Sequence, residues 1–308
     1  MARRRKGRAV HGILLLDKVR GLSSNQALQQ IKRLYGAAKA GHTGSLDPLA
    51  TGLLPICLGE ATKLSAQLLD ADKTYRVTLR LGEATDSGDA DGQVTQSAPW
   101  QHIDAAALGQ ATANFVGEIE QVPPMVSALK HQGRRLYELA REGQEVERPS
   151  RRVTIYRLEL LGLQDNEAEL ELDCSKGTYV RTLVEDLARS LDSVAHVTAL
   201  RRLRVGPFDE PMMAFAELQA LADEAGMAAL DRCLLPPGAA LAGWPSVTLD
   251  ASSGFYFRRG QAVQVRGAPT AGRVAAYGAD EQLLGLAEID SDGRVAPRRL
   301  LELRTPDQ

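Results

Sequence analysis

In the segment 41–63, GHTGSLDPLATGLLPICLGEATK, a single acid sits among small, hydroxylated and proline residues between apolar runs. That acid is Asp47. Gly41, Gly44 and Gly52 allow backbone angles that bulkier residues resist, while Pro48 fixes its own φ and turns Asp47 away from helical geometry. A lone carboxylate on so constrained a path can serve as an oxygen nucleophile, and carboxylates form covalent intermediates in glycosyl chemistry. The competing reading is an Asx turn or helix N-cap, with Asp47 bonding the amides after Pro48. A retaining glycosidase would need a second carboxylate about 5 Å away, and no motif acid lies near Asp47 in the sequence.

The other chemical groups need elements to position them. Residues 178–191 carry Val180, Leu183, Val184 and Leu187 at helical spacing, which puts Arg181 off the apolar stripe in the first turn. From there it can point at a cleft or pair locally with Glu185. Residues 74–81, TYRVTLRL, alternate as a half-buried strand. Tyr75 shares a face with Val77, Leu79 and Leu81, as a plain core aromatic also would. The stretch TDSGDADG at 85–92 fails as a calcium loop. With Asp89, Asp91 and Gly92 at the third, fifth and sixth positions, Ala98 falls where glutamate is required. It reads instead as a turn whose carboxylates bond backbone amides.

The remaining elements follow from periodicity. Residues 11–17 read as a buried strand, and Ser23 or Ser24 caps a helix carrying Ala27, Leu28, Ile31 and Leu34, with Gly36 past its end. Helices are expected around 61–69, 105–115 and 215–230, and strands at 152–163, 168–174 and 197–205. Residues 122–152 form a basic, glycine-punctuated insert with the composition of a mobile loop or helical insert that orders on binding. Pro236, Pro237, Gly238 and Pro245 mark a linker. Beyond it the short alternating runs VTLD, QAVQV, RVAAY and LLGLAEID predict a small β-barrel.

Composition sets the bounds. A chain of 308 residues suits a large domain, 1–240, and a smaller one, 246–308. No run reaches the roughly 18 apolar residues of a membrane span, and the basic N-terminus lacks a signal core. Cys57, Cys174 and Cys233 are odd in number and widely spaced, which disfavours a disulfide framework or zinc site and suggests reduced thiols in cytoplasm. There is no P-loop or strand-anchored GxGxxG, so neither cofactor nor metal is expected. Net charge is only −2, but basic residues cluster at Arg3 to Arg8, at Lys130, Arg134, Arg135, Arg141, Arg148, Arg151 and Arg152, and at Arg201, Arg202 and Arg204. Segregated charge of this kind suits a phosphate-bearing partner, though each cluster also fits a solvated surface.

The blocks LLLDK (14–18), GHTGSLDPLATG (41–52), DKTYR (72–76), DADG (89–92), VPPMVSALK (122–130), CSKGTYVRTL (174–183) and AHVTALRRLRVG (195–206) span nearly the whole chain. In kind and order they resemble the TruB family of bacterial pseudouridine synthases. One departure is Val19 after Lys18, where the family reads Lys-Pro-x-Gly; this loosens a turn and leaves the chemistry untouched. The resemblance implies an α+β fold with a mixed, largely antiparallel sheet, flanking helices and a PUA-like RNA-binding domain after it. It implies isomerisation of the T-loop uridine at tRNA position 55 by a monomer with no obligatory protein partner, no cofactor and no membrane attachment. It assigns Asp47 as nucleophile, Arg181 as its ion-pair partner, Tyr75 as the base-packing residue that relays the C5 proton, Tyr179 and Leu200 as base contacts, and His42 as a participant in base flipping. Guide-RNA-dependent relatives are a poorer match, because the basic 130–152 segment suits an enzyme that grips tRNA unaided.

Overall fold

The computed structural model describes residues 7–127, 129–209 and 211–303. Arg3, Arg4, Arg5 and Lys6, and the side chains of Lys130, Arg135 and Arg141, lie outside the described residues.

A nine-stranded sheet forms the frame. Its order is Met213–Ala214, Gly12–Lys18, Thr51–Leu58, Ala195–Val205, Lys73–Leu81, Glu167–Cys174, Arg151–Gln164 and Gly117–Gln121, with Ala40–His42 also paired to Thr51–Leu58. Two pairings are parallel, that of Gly12–Lys18 with Met213–Ala214 and that of Thr51–Leu58 with Ala195–Val205, and the rest are antiparallel. The alternation in Lys73–Leu81 holds from Tyr75 onward, with Tyr75, Val77, Leu79 and Leu81 buried and Arg76 exposed, whereas Lys73 and Thr74 at its start are both buried. Register places Tyr75 opposite Arg202, and Arg202 in turn opposite Gly52, in one row across three central strands.

Helices cover this sheet where sequence spacing puts apolar residues on one stripe. Ser24–Leu34 buries Ala27, Leu28 and Ile31 and starts at Ser23, whose hydroxyl accepts from the Gln26 amide in a capping box. Val180–Arg189 buries Val180, Leu183, Val184 and Leu187. Both join one core with the sheet residues Leu14, Leu54, Val77, Leu170 and Val197. The stretch expected as a helix at 61–69 is a 3-10 turn, Gly59–Leu64, followed by a short α-helix, Ser65–Leu69. The helix Phe215–Asp231 is broken at Gly226, where φ of 72° interrupts the helical path. The insert contains a two-stranded hairpin, Lys130–His131 with Arg134–Arg135, and the helix Leu136–Arg141.

The C-terminal region is a four-stranded sheet, Ser246–Leu249, Gly272–Gly278, Leu283–Ile289 and Val295–Leu300, whose first pair is parallel. Two expectations are corrected here. QAVQV does not form a strand; Val263 makes a single isolated bridge to Val295. A helix unforeseen in the sequence, Ala251–Phe257, fills the connection, capped by the Asp250 carboxylate on the Ser253 amide at 2.6 Å. The proline-rich linker is also no free tether. Pro237–Leu241 is a 3-10 turn with Ala240 and Leu241 buried beside Ile13, Leu53 and Cys57 of the large sheet, Leu64 of the turn Gly59–Leu64, and Ala275, Leu283 and Leu286 of the small sheet.

This shared apolar layer should make the two sheets unfold together. Calorimetry should show a single transition, and Leu64→Ala, at a fully buried position, should lower stability in urea by about 2–5 kcal/mol. Two resolved transitions would contradict the packing.

Candidate active site

The loop carrying Asp47 is held from several sides. Gly44 and Gly52 have φ of 98° and 94°, and a Cβ at Gly52 would fall on the Arg202 carbonyl oxygen, so glycine is required there. The Ser24 hydroxyl donates to the Leu46 carbonyl at 3.0 Å and accepts from the Leu46 amide at 2.7 Å. Lys18 is almost fully buried, and its ammonium donates to the Ala50 carbonyl at 2.6 Å and the Pro48 carbonyl at 3.4 Å. Arg202, equally buried, donates from Nε to the Leu53 carbonyl at 2.7 Å and from Nη2 to the Gly44 carbonyl at 3.2 Å. Two cations on backbone carbonyls thus replace the hydrogen bonds a regular element would supply.

The Asp47 carboxylate faces the Arg181 Nε at 3.0 Å. Its backbone carbonyl accepts from the Ala50 amide, but among the described residues no backbone amide caps its side chain. The cap reading therefore gives way to the ion pair, and so does the local Arg181–Glu185 pair. Arg181 is 3 % exposed and uses every nitrogen separately: Nη1 donates to the Ser87 carbonyl at 2.6 Å and Nη2 to the Val126 carbonyl at 2.7 Å. The guanidinium fork does not grip Asp47 through two parallel bonds, as arginine commonly grips a carboxylate. Its terminal nitrogens instead tie the 85–92 turn and the start of the insert to the helix Val180–Arg189.

A second acid, Asp89, lies 3.8 Å from the same Nε. The sequence reading made it a turn residue, and it is that as well: its carboxylate accepts from the Ser87 hydroxyl at 2.6 Å and the Asp91 amide at 3.2 Å. Its nearness to Arg181 depends on a contact across more than ninety residues that no local pattern reveals.

A cleft of about 580 Å³ opens above this pair, lined by Asp47, Tyr75, Tyr179, Arg181 and Leu200. Five of the six residues expected at the site therefore meet in one place. His42 does not line the cleft; it lies half-buried on the strand Ala40–His42, opposite Ile56. Tyr179 precedes the Arg181 helix and is clamped by buried Gln121, which accepts from its amide at 3.1 Å and donates to its carbonyl at 3.3 Å. Lys18, Asp89, Gln121 and Arg202 are supporting residues that the sequence reading missed, because Lys18, Gln121 and Arg202 act through backbone contacts and Asp89 through its nearness to Arg181, all visible only after folding.

Electrostatics at the floor are finely opposed. Crowding by protein pushes the Asp47 carboxyl above its usual range, Arg181 and Lys18 push back, and Asp89 adds to the rise. Part of its side chain, 39 %, still reaches solvent through the cleft, so water moderates the desolvation. Burial also raises the Tyr75 hydroxyl, with Arg202 beside it opposing, so Tyr75 is a neutral phenol at pH 7. Burial lowers Lys18 to about 8. Between about pH 8 and the 10.5 of a free lysine the unfolded chain keeps this proton and the folded chain does not, so the Lys18 contribution to stability rises with pH. Among the described residues no group of three or more His, Cys, Asp or Glu could hold a metal ion, and no helix is long and apolar enough to cross a membrane.

The basic residues of 201–204 do not form the open cationic patch expected. Arg201 bridges Asp17 at 2.8 and 3.0 Å, Arg202 is internal, and Arg204 donates to the Thr74 hydroxyl at 3.0 Å.

Comparison with known proteins identifies the family. Residues 32–180 match the model of the TruB family pseudouridylate synthase N-terminal domain. The chain belongs to the TruB family of pseudouridine synthases. Residues 181–242 match the tRNA pseudouridylate synthase B C-terminal domain, and 245–301 the pseudouridine synthase II TruB C-terminal region. The tRNA pseudouridine synthase B of Nitrosococcus oceani is 54 % identical over 300 residues, covering 97 % of each chain. That of Vibrio cholerae serotype O1 is 54 % identical over 309 residues, covering 98 % of this chain and 99 % of its own. A chain from the crystal structure of a Cbf5–Nop10–Gar1 complex superposes with a TM-score of 0.74 at 25 % identity, over 96 % of this chain and 86 % of that one. The mixed sheet with flanking helices is thus the pseudouridine synthase fold.

Gly52→Ala should lower stability by more than the roughly 1–2 kcal/mol that left-handed backbone costs a residue with a Cβ, because the backbone must also shift off Arg202. Urea denaturation together with single-turnover rate would show both losses; an unchanged protein would mean the Asp47 loop is not held as described.

Proposed function

We propose that this TruB-family enzyme isomerises the T-loop uridine of tRNA, at position 55, to pseudouridine, with Asp47 as the nucleophile. The observation that carries this reading is the Asp47–Arg181 pair at the floor of a cleft large enough for a nucleoside, on a chain whose relatives are named tRNA pseudouridine synthase B. The N1–C1′ bond breaks, the base turns within the cleft, C5 bonds to C1′, and the C5 proton is lost as N1 gains one. Nothing is added, so an acid able to attack C1′ or C6, a group near C5 and a closed pocket suffice.

Each cleft residue then has a task. Arg181 keeps Asp47 charged and aimed, since protonated Asp47 cannot attack. Tyr75, held neutral, packs on the base and relays the C5 proton, while Tyr179 and Leu200 bound the pocket so that the detached base stays. A uridine inside a folded loop must be turned out of its stack before reaching the cleft, and in this reading His42, on the strand that leads into the Asp47 loop, fills the space it leaves. The C-terminal sheet serves as the PUA-like RNA-binding domain of 246–308, beyond a catalytic domain of 1–240. The enzyme works as a cytoplasmic monomer without cofactor.

A nucleoside glycosidase would need a second acid facing the substrate. Asp89, beside the Asp47–Arg181 pair, is 8 % exposed, committed to its own turn and absent from the cleft lining, and Asp70, which lines the cleft, is paired with Lys176 at 3.0 Å. A tRNA-folding role separable from catalysis is compatible with the same RNA contacts.

The test is incubation of the protein with uridine-labelled tRNA transcript in metal-free buffer and mapping of the product. Pseudouridine at one T-loop site is expected; free uracil would favour the glycosidase, and no product would overturn the proposal. Asp47→Asn should abolish isomerisation while changing tRNA affinity less than about tenfold, and retained refolding of tRNA by that protein would separate the folding role. Arg181→Lys should reduce rate far more than affinity, because one ammonium cannot serve Asp47, Ser87 and Val126 together. Equal losses in both would count against the assignment. The rate of the unaltered enzyme should fall on the acid side starting above the ordinary aspartate range.

A further inference from the structure

One cation in the cleft has no assigned task. Lys73 donates to the Leu69 and Ala71 carbonyls, Lys176 pairs with Asp70 at 3.0 Å, and Arg181 and Arg202 are bound as described. Among insert arginines with described side chains, Arg134 pairs with Glu142, Arg148 with Glu145 at 3.4 Å, and Arg152 with Glu118 at 3.5 Å. Arg151 differs. It opens the strand Arg151–Gln164, lines the same cleft as Asp47, and makes no ion pair among the described residues.

Its placement is nonetheless fixed. The guanidinium carbon lies 4.8 Å from the centroid of the Tyr179 ring, a cation–π distance. On another side Nη1 lies against Gly177, 3.4 Å from where a Cβ would stand, an ordinary packing distance. The strand register sets Arg151 opposite Gln121, the residue that clamps the Tyr179 backbone. Nη2 is shielded from solvent and has no hydrogen-bond partner among the described residues. A buried donor without an acceptor is costly, and the cost is removed when a ligand supplies one. A planar, permanently charged donor of this kind matches a phosphate more closely than a neutral base carbonyl.

We propose that Arg151 binds a phosphodiester flanking the uridine turned into the cleft, and so anchors the extruded nucleotide between Tyr179 and the Asp47 floor. The proposal rests on the RNA reading above and adds a substrate-binding residue to it. Arg151 touches the backbone of the substrate, not its reacting atoms, so its loss should appear in KM and affinity ahead of kcat.

The experiment uses the full-length protein and a T-arm RNA hairpin in which each phosphate flanking the target uridine is replaced in turn by an uncharged methylphosphonate. The unaltered protein should bind one of these hairpins about tenfold more weakly. Arg151→Gln should bind the unmodified hairpin about tenfold more weakly, become insensitive to that same methylphosphonate, and show a log–log salt slope smaller by roughly 0.7. Arg151→Lys should restore the salt slope and part of the affinity. Full additivity of the two losses, unchanged affinity of Arg151→Gln, or a loss that persists with every methylphosphonate, which would indicate a base contact, would each overturn the proposal. If Arg151→Gln does not fold, insensitivity of the unaltered protein to every flanking methylphosphonate overturns it, and Arg151→Lys decides otherwise. Binding is read separately from product, so a hairpin that binds as predicted but is not isomerised would count against the catalytic reading and leave the Arg151 contact standing.

Discussion

A buried guanidinium with three different partners governs the arrangement of this protein. Arg181 comes from the first turn of a helix, and its nitrogens reach Asp47 on one loop, the Ser87 carbonyl on a second and the Val126 carbonyl at the start of the insert. An unpaired charge at 3 % exposure would be strongly unfavourable. All three segments must therefore converge for the fold to tolerate it, and their convergence builds the cleft. Asp47, the proposed nucleophile, is one member of the set that keeps Arg181 satisfied.

A second layer of cations supports the first. Lys18 and Arg202 hold the Asp47 loop through its carbonyls, and Arg202 also sits opposite Tyr75 in the sheet register. The positive charge gathered there favours an ionised Asp47 against the crowding that opposes it. Packing extends the same dependence outward, because the strands carrying these groups share an apolar layer with the C-terminal sheet. The C-terminal sheet and the strands beneath the cleft therefore share one packed layer.

Much of this was legible in the sequence, for identifiable reasons. Residues 74–81 and 178–191 announce a strand and a helix by strict periodicity, and the glycines and proline around Asp47 announce a fixed loop. What stayed hidden was long-range. Nothing in DADG indicates that Asp89 approaches Arg181, and LRRL does not show that Arg202 is internal while Arg201 pairs with Asp17. Arginines read as a charged surface in one dimension turned out to be framework. The Ala251–Phe257 helix was missed because its seven residues are too few for a helical period to stand out among short strands.

The central claim is that Arg181 keeps Asp47 ionised in a crowded site. Carbon-13 carboxyl NMR of aspartate-labelled protein, with the Asp47 signal assigned from its disappearance in Asp47→Asn, tests this directly as pH is varied. The account predicts a midpoint above the ordinary aspartate value, an ionised Asp47 at pH 7, and a further upward displacement in Arg181→Met. A midpoint at the ordinary value that stays in place when the guanidinium is removed would contradict it.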